Sequence, residues 1–213
     1  MRWLRSILAV VLSCLLLCSL LCLYVLHVLE RTVVETNTAL TAYVQKSVDT
    51  RLEELHRYST TIEITHANTL LKNLRELPGT LPAQAYQLSV TLRDFLVTNK
   101  LARGVYLYYP RTGLVVGNMG CFEAASYYAL QGVPQRAGYD AWLAELTKSH
   151  DTRFMLLQMP KDERLCYVRE MRMTGEIAAV VVIEIDREEL LRAFDAAGLP
   201  GDSATGVLLD GQL

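Results

Sequence analysis

The hydrophobic and polar positions of the chain change pattern in clear steps. From 7 to 29 there is no Asp, Glu, Lys or Arg, and Leu, Val, Ile, Cys and Ala dominate. At 1.5 Å per residue such a helix is about 35 Å long, enough to cross a hydrocarbon core of about 30 Å. From 30 to 77 there is neither Pro nor Gly, and apolar residues recur at helical spacing. Val33, Leu40, Val44, Val48, Leu52, Leu55, Tyr58 and Ile62 form a stripe that Leu70, Leu74 and Leu77 continue, while Glu35, Lys46, Asp49 and Arg51 occupy the other side. The pattern predicts that the membrane helix continues as a stalk helix of about 70 Å, stopped by Pro78-Gly79. So narrow a stripe fits packing on the chain's own domain and pairing with a second copy, the upper half serving the first and the lower half the second.

Beyond the stop, a second helix is predicted over 82–99, with Tyr86, Leu88, Leu92, Phe95 and Leu96 inward. The period then shortens. Residues 104–109 and 114–118 read as strands joined by the turn at Pro110-Arg111-Thr112-Gly113. Residues 119–138 read as a loop with a short helical patch, and 139–149 as an amphipathic helix with Trp142, Leu143 and Leu146 inward. Three strands follow at 153–159, 164–173 and 176–185, so close in sequence that they must be antiparallel. The run 177–183 is apolar on both faces and is predicted to be central. Asp186 then caps a helix whose inward side is Leu190, Leu191 and Phe194, with Glu189 completing a capping box. The expected fold class is α+β, a five-stranded antiparallel sheet flanked by helices.

Charge sets the topology. Arg2 and Arg5 precede the apolar run, so the positive-inside bias places 1–6 in the cytoplasm, 7–29 in the membrane and the rest outside. A cleaved signal peptide would have a shorter core and a small-residue exit, whereas this run ends in Val28-Leu29-Glu30. Val11-Leu12-Ser13-Cys14 faintly resembles a lipoprotein box, but the apolar run continues four turns past Cys14. Of the five cysteines, Cys14, Cys18 and Cys22 lie on one face of the membrane helix as small packing groups. Cys121 and Cys166 are the two outside, where a disulfide is possible. The formal net charge of −2 speaks against a large nucleic-acid face in these 213 residues.

The run GVYLYYPRTGLVVGN at 104–118, YDAW at 139–142 and AVVVIEIDREEL at 179–190, behind a membrane-continuous helix, resemble extracytoplasmic Cache sensor domains, whose core is PAS-like. The resemblance covers residue 30 onward and implies a membrane-distal module over 78–197. It also implies the start of a truncated membrane-proximal module at 198–213. The Tyr-rich first strand and the Tyr-x-x-Trp look most like membrane-bound AraC-type transcriptional regulators, and sensor histidine kinases come second. Neither output module is in this sequence. At the C-terminal end, 207–209 reads as a strand and Asp210-Gly211 as a hairpin turn with no partner after it. A fragment of a longer protein is therefore expected, the alternative being that 207–209 adds to the first sheet.

A search for catalysis yields nothing that stands. Gly201-Asp202-Ser203 has no His after it, and His27, His56, His66 and His150 are scattered without ligand spacing. The chain is not expected to be an enzyme, and no cofactor or metal is implied. A binding site is better supported. The resemblance places the ligand between the sheet and the insertion after the hairpin, a region holding Phe122, Tyr127, Tyr128, Arg136, Tyr139 and Trp142. Strand alternation puts Tyr106 and Tyr108 on one face, and groups Tyr167, Arg169 and Met171 on one face of their strand. The candidate ligand-binding residues are Tyr106, Tyr108, Arg136, Tyr139, Trp142, Tyr167 and Arg169. Aromatic rings with guanidinium groups suit a small anionic or zwitterionic ligand; equally, the rings could simply fill a small core. Amino-acid-binding Cache domains carry an Arg-x-Trp-Tyr arrangement where this chain has RAGYDAW at 136–142, so amino-acid specificity is not carried over. Expected partners are a small extracytoplasmic ligand, the membrane and a second copy through the stalk, with no nucleic acid bound. The competing class is an envelope-anchored interaction protein.

Overall fold

The computed structural model describes residues 2–76, 83–133, 136–148 and 152–195. The Pro78-Gly79 stop, Gly201-Asp202-Ser203 and the hairpin start at 207–211 lie outside them, as does the side chain of Phe194. The first helix, α1, runs Arg2–Glu63, 62 residues or about 90 Å. It is long and apolar enough to cross a membrane by length and composition. The described leucines between 12 and 29 are 55–68% exposed, so this is not the core helix of a soluble domain.

The stalk ends earlier than the pattern predicts. Helix α1 stops at Glu63, and a short α2 (His66–Lys72) follows, so the expected run to Leu77 is corrected. No Gly or Pro was there to signal the break, because side chains make it. Thr65 turns extended and caps α2, accepting from the Asn68 N–H at 3.4 Å. The last carbonyls of α1 are met in turn: Ile62 O accepts from Thr65 Oγ1 at 2.8 Å and Asn68 Nδ2 at 3.0 Å, and Glu63 O from Lys72 Nζ at 3.1 Å.

After α3 (Ala83–Thr98) come β1 (Ala102–Tyr109), β2 (Leu114–Gly117) and β3 (Gly120–Glu123). Then follow α4 (Ala124–Leu130), α5 (Arg136–Thr147), β4 (Thr152–Gln158), β5 (Glu163–Met173), β6 (Glu176–Ile185) and α6 (Arg187–Asp195). The sheet has six strands, not five, in the antiparallel order β3-β2-β1-β6-β5-β4. The extra strand, β3, is four residues long and begins at a glycine, too short for alternation to stand out from the loop predicted there. As predicted, β6 is central, between β1 and β5.

Two cores result, one on each side of the sheet. On one, Leu55 and Ile62 of α1, Leu71 of α2 and Leu88, Leu92 and Phe95 of α3 pack on Leu107, Tyr109, Tyr167, Val181 and Ile183. Each fully buried Leu or Ile there is worth about 1.5–3 kcal/mol. On the other, α4 and α5 cover Tyr106, Tyr108, Val168, Val180 and Val182. The upper stalk is thus part of the domain core. Three inward assignments change: Tyr86 is 71% exposed, Leu70 38% and Leu191 48%. Asp186 Oδ1 does accept from the N–H groups of Glu188 (2.9 Å) and Glu189 (3.2 Å). The capping box is only half made, since Asp186 N–H goes to Leu101 O and the Glu189 carboxylate to Arg192.

Candidate functional site

The register decides which predicted residues meet. Tyr106 pairs with Val182, and Val182 with Val168, so these three share one face of the sheet. Tyr167 and Arg169, one residue either side of Val168, therefore point to the opposite face. The seven predicted residues divide accordingly.

On the α4–α5 face, Trp142 of α5 sits at the centre of five tyrosines. Tyr106, Tyr108, Tyr127, Tyr128 and Tyr139 have ring centroids 5.4–6.4 Å from its own. Trp142 Nε1 donates to Tyr106 Oη at 3.3 Å, giving the buried indole N–H its partner. Close approach of α5 to α4 requires a glycine: a Cβ on Gly138 would lie 2.7 Å from Tyr128 Oη. Trp142 and Tyr106 are 1% exposed and Tyr128 2%, so these rings fill the space between sheet and helices. Tyr139 is half-buried at the rim, and Arg136, the first residue of α5, is exposed.

The same face holds an ionic floor that the sequence reading missed. Glu184, on β6 in line with Val180 and Val182, is 6% exposed and accepts from Arg164 Nη1 at 2.8 Å. Arg164 also donates to Asp162 (3.0 Å) and to Gln131 Oε1 at the end of α4 (3.1 Å). With two carboxylates to one guanidinium, the floor is slightly negative. Burial pushes the Tyr127 hydroxyl well above its ordinary value, Glu184 adding to this and Arg164 opposing it. Burial likewise pushes the Cys166 thiol well up, and Glu184 reinforces it. All three ordinarily neutral side chains nearest the floor, Tyr106, Tyr127 and Cys166, are held protonated. A carboxylate inside an otherwise apolar central strand was the signal available in the sequence, since a buried charge must be paired. Its partner could not be named without the register.

On the opposite face, Tyr167 and Arg169 fasten the stalk. Tyr167 Oη lies 2.9 Å from His56 Nδ1 and 3.2 Å from Ser59 Oγ. Arg169 donates to Thr60 Oγ1 (2.7 Å), Ser59 Oγ (3.2 Å) and Glu63 Oε2 (2.8 Å). Beside them Tyr109 Oη donates to Asn68 Oδ1 at 2.8 Å. Strand β5 thus touches the aromatic face with its even-numbered residues and α1 with its odd-numbered ones. The disulfide considered for Cys121 and Cys166 is not formed, and both are free. Cys121 packs on the stalk face of β3 and Cys166 on the other face of β5, four strand spacings or about 19 Å away.

No protein-family model matches the sequence, and no curated protein does. Several solved structures share its arrangement loosely. The sensory domain of the Campylobacter jejuni chemoreceptor Tlp3 (CcmL) with isoleucine bound is 15% identical with a TM-score of 0.41, covering 74% of this chain and 63% of that one. A domain of a sensory box/GGDEF family protein from Vibrio parahaemolyticus is 10% identical with a TM-score of 0.47, covering 71% and 59%. The Vibrio cholerae LuxQ periplasmic domain is 13% identical with a TM-score of 0.43, covering 80% and 81%. The chain spans about three fifths of the length of the first two. At such scores the likeness is one of arrangement and does not extend to a ligand.

Proposed function

We propose that this chain is the extracytoplasmic signal-sensing region of a single-pass or longer transmembrane receptor, its N-terminus cytoplasmic and its sheet domain outside. The observation that carries the reading is the path of α1. One helix leaves the apolar segment, enters the domain core at Leu55 and Ile62, and is fastened to β5 by His56, Ser59, Thr60 and Glu63. The other face of β5 borders the aromatic cluster. A ligand that rearranged Tyr106, Tyr108, Tyr139 and Trp142, with Arg136 at the rim, would act on the stalk through one strand. Tyr167 and Arg169 then serve as the joint, not as ligand contacts.

Arg164 is committed to Glu184 and Asp162, so a zwitterion with an amine fits the negative floor better than a simple anion. Two copies pair through the lower stalk, where Val33 and Val34 are exposed. The output follows the sequence resemblance: a membrane-bound AraC-type transcriptional regulator first, a sensor histidine kinase second. The tight filling of the aromatic face favours a second reading, an envelope interaction module that uses its exposed apolar residues, Val97 (79%) and Val133 (87%) among them.

Thermal-shift screening of the detergent-solubilised full chain against amino acids and organic acids separates the two. A saturable upward shift that Arg136→Ala weakens supports the sensor; no shift across the panel favours the interaction module. Unchanged affinity in Arg136→Ala removes that residue from the site.

A further inference from the structure

We propose a second ligand site, independent of the aromatic face, in the cleft between the stalk and the corner that joins α3 to β1, and that it takes an acidic saccharide. The cleft has a volume of about 650 Å³, within the size range of small-molecule sites. One wall is a single face of α1, where Tyr43, Lys46, Thr50 and Glu54 follow at helical spacing with Arg51 beside them. The other wall is Thr98, Asn99 and Lys100. Lys46, Arg51 and Lys100 stand against one carboxylate, Glu54, and among the described residues none of these four side chains enters an ion pair or hydrogen bond. Three uncommitted cations facing one concavity attract an anionic group.

The remaining lining tells what kind of anion. Thr50 Oγ1 already donates to Lys46 O (2.8 Å) and Thr98 Oγ1 to Phe95 O (2.9 Å), so toward the cleft both hydroxyls are acceptors. Asn99 Oδ1 is taken by the Leu101 N–H (3.0 Å), which leaves its amide as a donor. With Glu54, these hydroxyls give the cleft three acceptors; sulfate has no donor for them, and hydrogen phosphate, with one or two hydroxyls, cannot meet all three. A molecule bearing hydroxyls as well as a carboxylate or phosphate uses all of them. Tyr43, 69% exposed at one end, supplies the ring on which the C–H face of a sugar stacks. Lys46 stands 17 residues, about 25 Å, past the apolar run, out of reach of a phospholipid headgroup. The ligand comes from the medium or from an envelope polymer.

The test is calorimetric titration of the full chain in phosphatidylcholine nanodiscs with trigalacturonate and trimannuronate, against maltotriose and inorganic phosphate. At least one uronate trimer is expected to bind tenfold or more tightly than maltotriose or phosphate. The Arg51→Gln/Lys100→Gln variant should lose at least tenfold, with its thermal midpoint unchanged because both side chains lie outside the two cores. Arg136→Ala should leave this binding intact, so failure here and failure at the aromatic face are separable. A uronate polymer that binds more tightly per uronate than the trimer identifies an envelope polymer as the source, and equal binding identifies free oligomers. Absence of uronate binding, binding that survives the double substitution, or equal binding of maltotriose or phosphate overturns the proposal.

Discussion

Single positions in the aromatic face carry opposing demands. Gly138 lies inside α5, where Gly→Ala ordinarily gains about 1 kcal/mol, yet a Cβ there would stand only 2.7 Å from Tyr128 Oη. Gly138→Ala is therefore expected to lower stability by about 1–2 kcal/mol, and combining it with Tyr128→Phe should recover most of the loss. Chemical denaturation of both variants checks this, and a stabilised single variant would refute the contact. Cys166 gives a pH dependence. Its thiol is raised in the folded state by burial and then by Glu184, above the ordinary value near 9.0 of the unfolded chain. The unfolded state loses its proton first, so this contribution is complete below about pH 9 and is lost as pH rises toward the folded value. Cys121 adds in the same direction. Unfolding free energy should fall between about pH 9 and about pH 10, by at most about 1.4 kcal/mol per pH unit for the buried Cys166 thiol and by less for the half-buried Cys121, as chemical denaturation across that range checks. Cys166→Ala should flatten that fall.

Among the elements, the joint between α1 and β5 is the one on which the proposed sensing role depends. Arg169→Ala removes three hydrogen bonds to the stalk while leaving the apolar contacts of Leu55 and Ile62 in place. Both Arg169 and Glu63 are partly exposed, so solvent screening limits the cost to about 1–2 kcal/mol. Hydrogen exchange over the last two turns of α1 is expected to speed up without comparable change in β6. Equal acceleration everywhere would mean that Arg169 supports global stability and not the joint. The same elements show where pattern reading succeeds. The central position of β6 follows from an apolar run on both faces, and the cap at Asp186 from its side chain. The break at Ile64-Thr65 and the short β3 were not legible, because one is built by Thr65, Asn68 and Lys72 reaching back to carbonyls and the other spans too few residues for a period.

At the scale of the whole molecule, orientation is the open prediction. With Arg2 and Arg5 held inside, a cysteine at Thr112, in the half-exposed turn between β1 and β2, should react in intact cells with a reagent that cannot cross membranes. A Cys121→Ser background removes the other partly accessible thiol of the sheet domain. Labelling only after lysis would reverse the proposed topology.

The long apolar helix, the stalk periodicity, five of the six strands and the central strand were determined by the sequence itself. Each depends on the spacing of apolar residues along a few turns or one strand, a local property. The division of the candidate site was decided only by the tertiary structure. Tyr106 and Tyr108 share a face by alternation, and so do Tyr167 and Arg169, but whether the two pairs face the same side depends on how β1, β6 and β5 are aligned. A shift of one residue in that register exchanges the faces. The alignment sets Tyr106 beside Val182 and Val168, and so puts Tyr167 and Arg169 on the stalk face, away from the aromatic cluster. It also brings Glu184, Arg164 and Gln131 together from β6, β5 and the end of α4, a meeting that no spacing along the chain encodes.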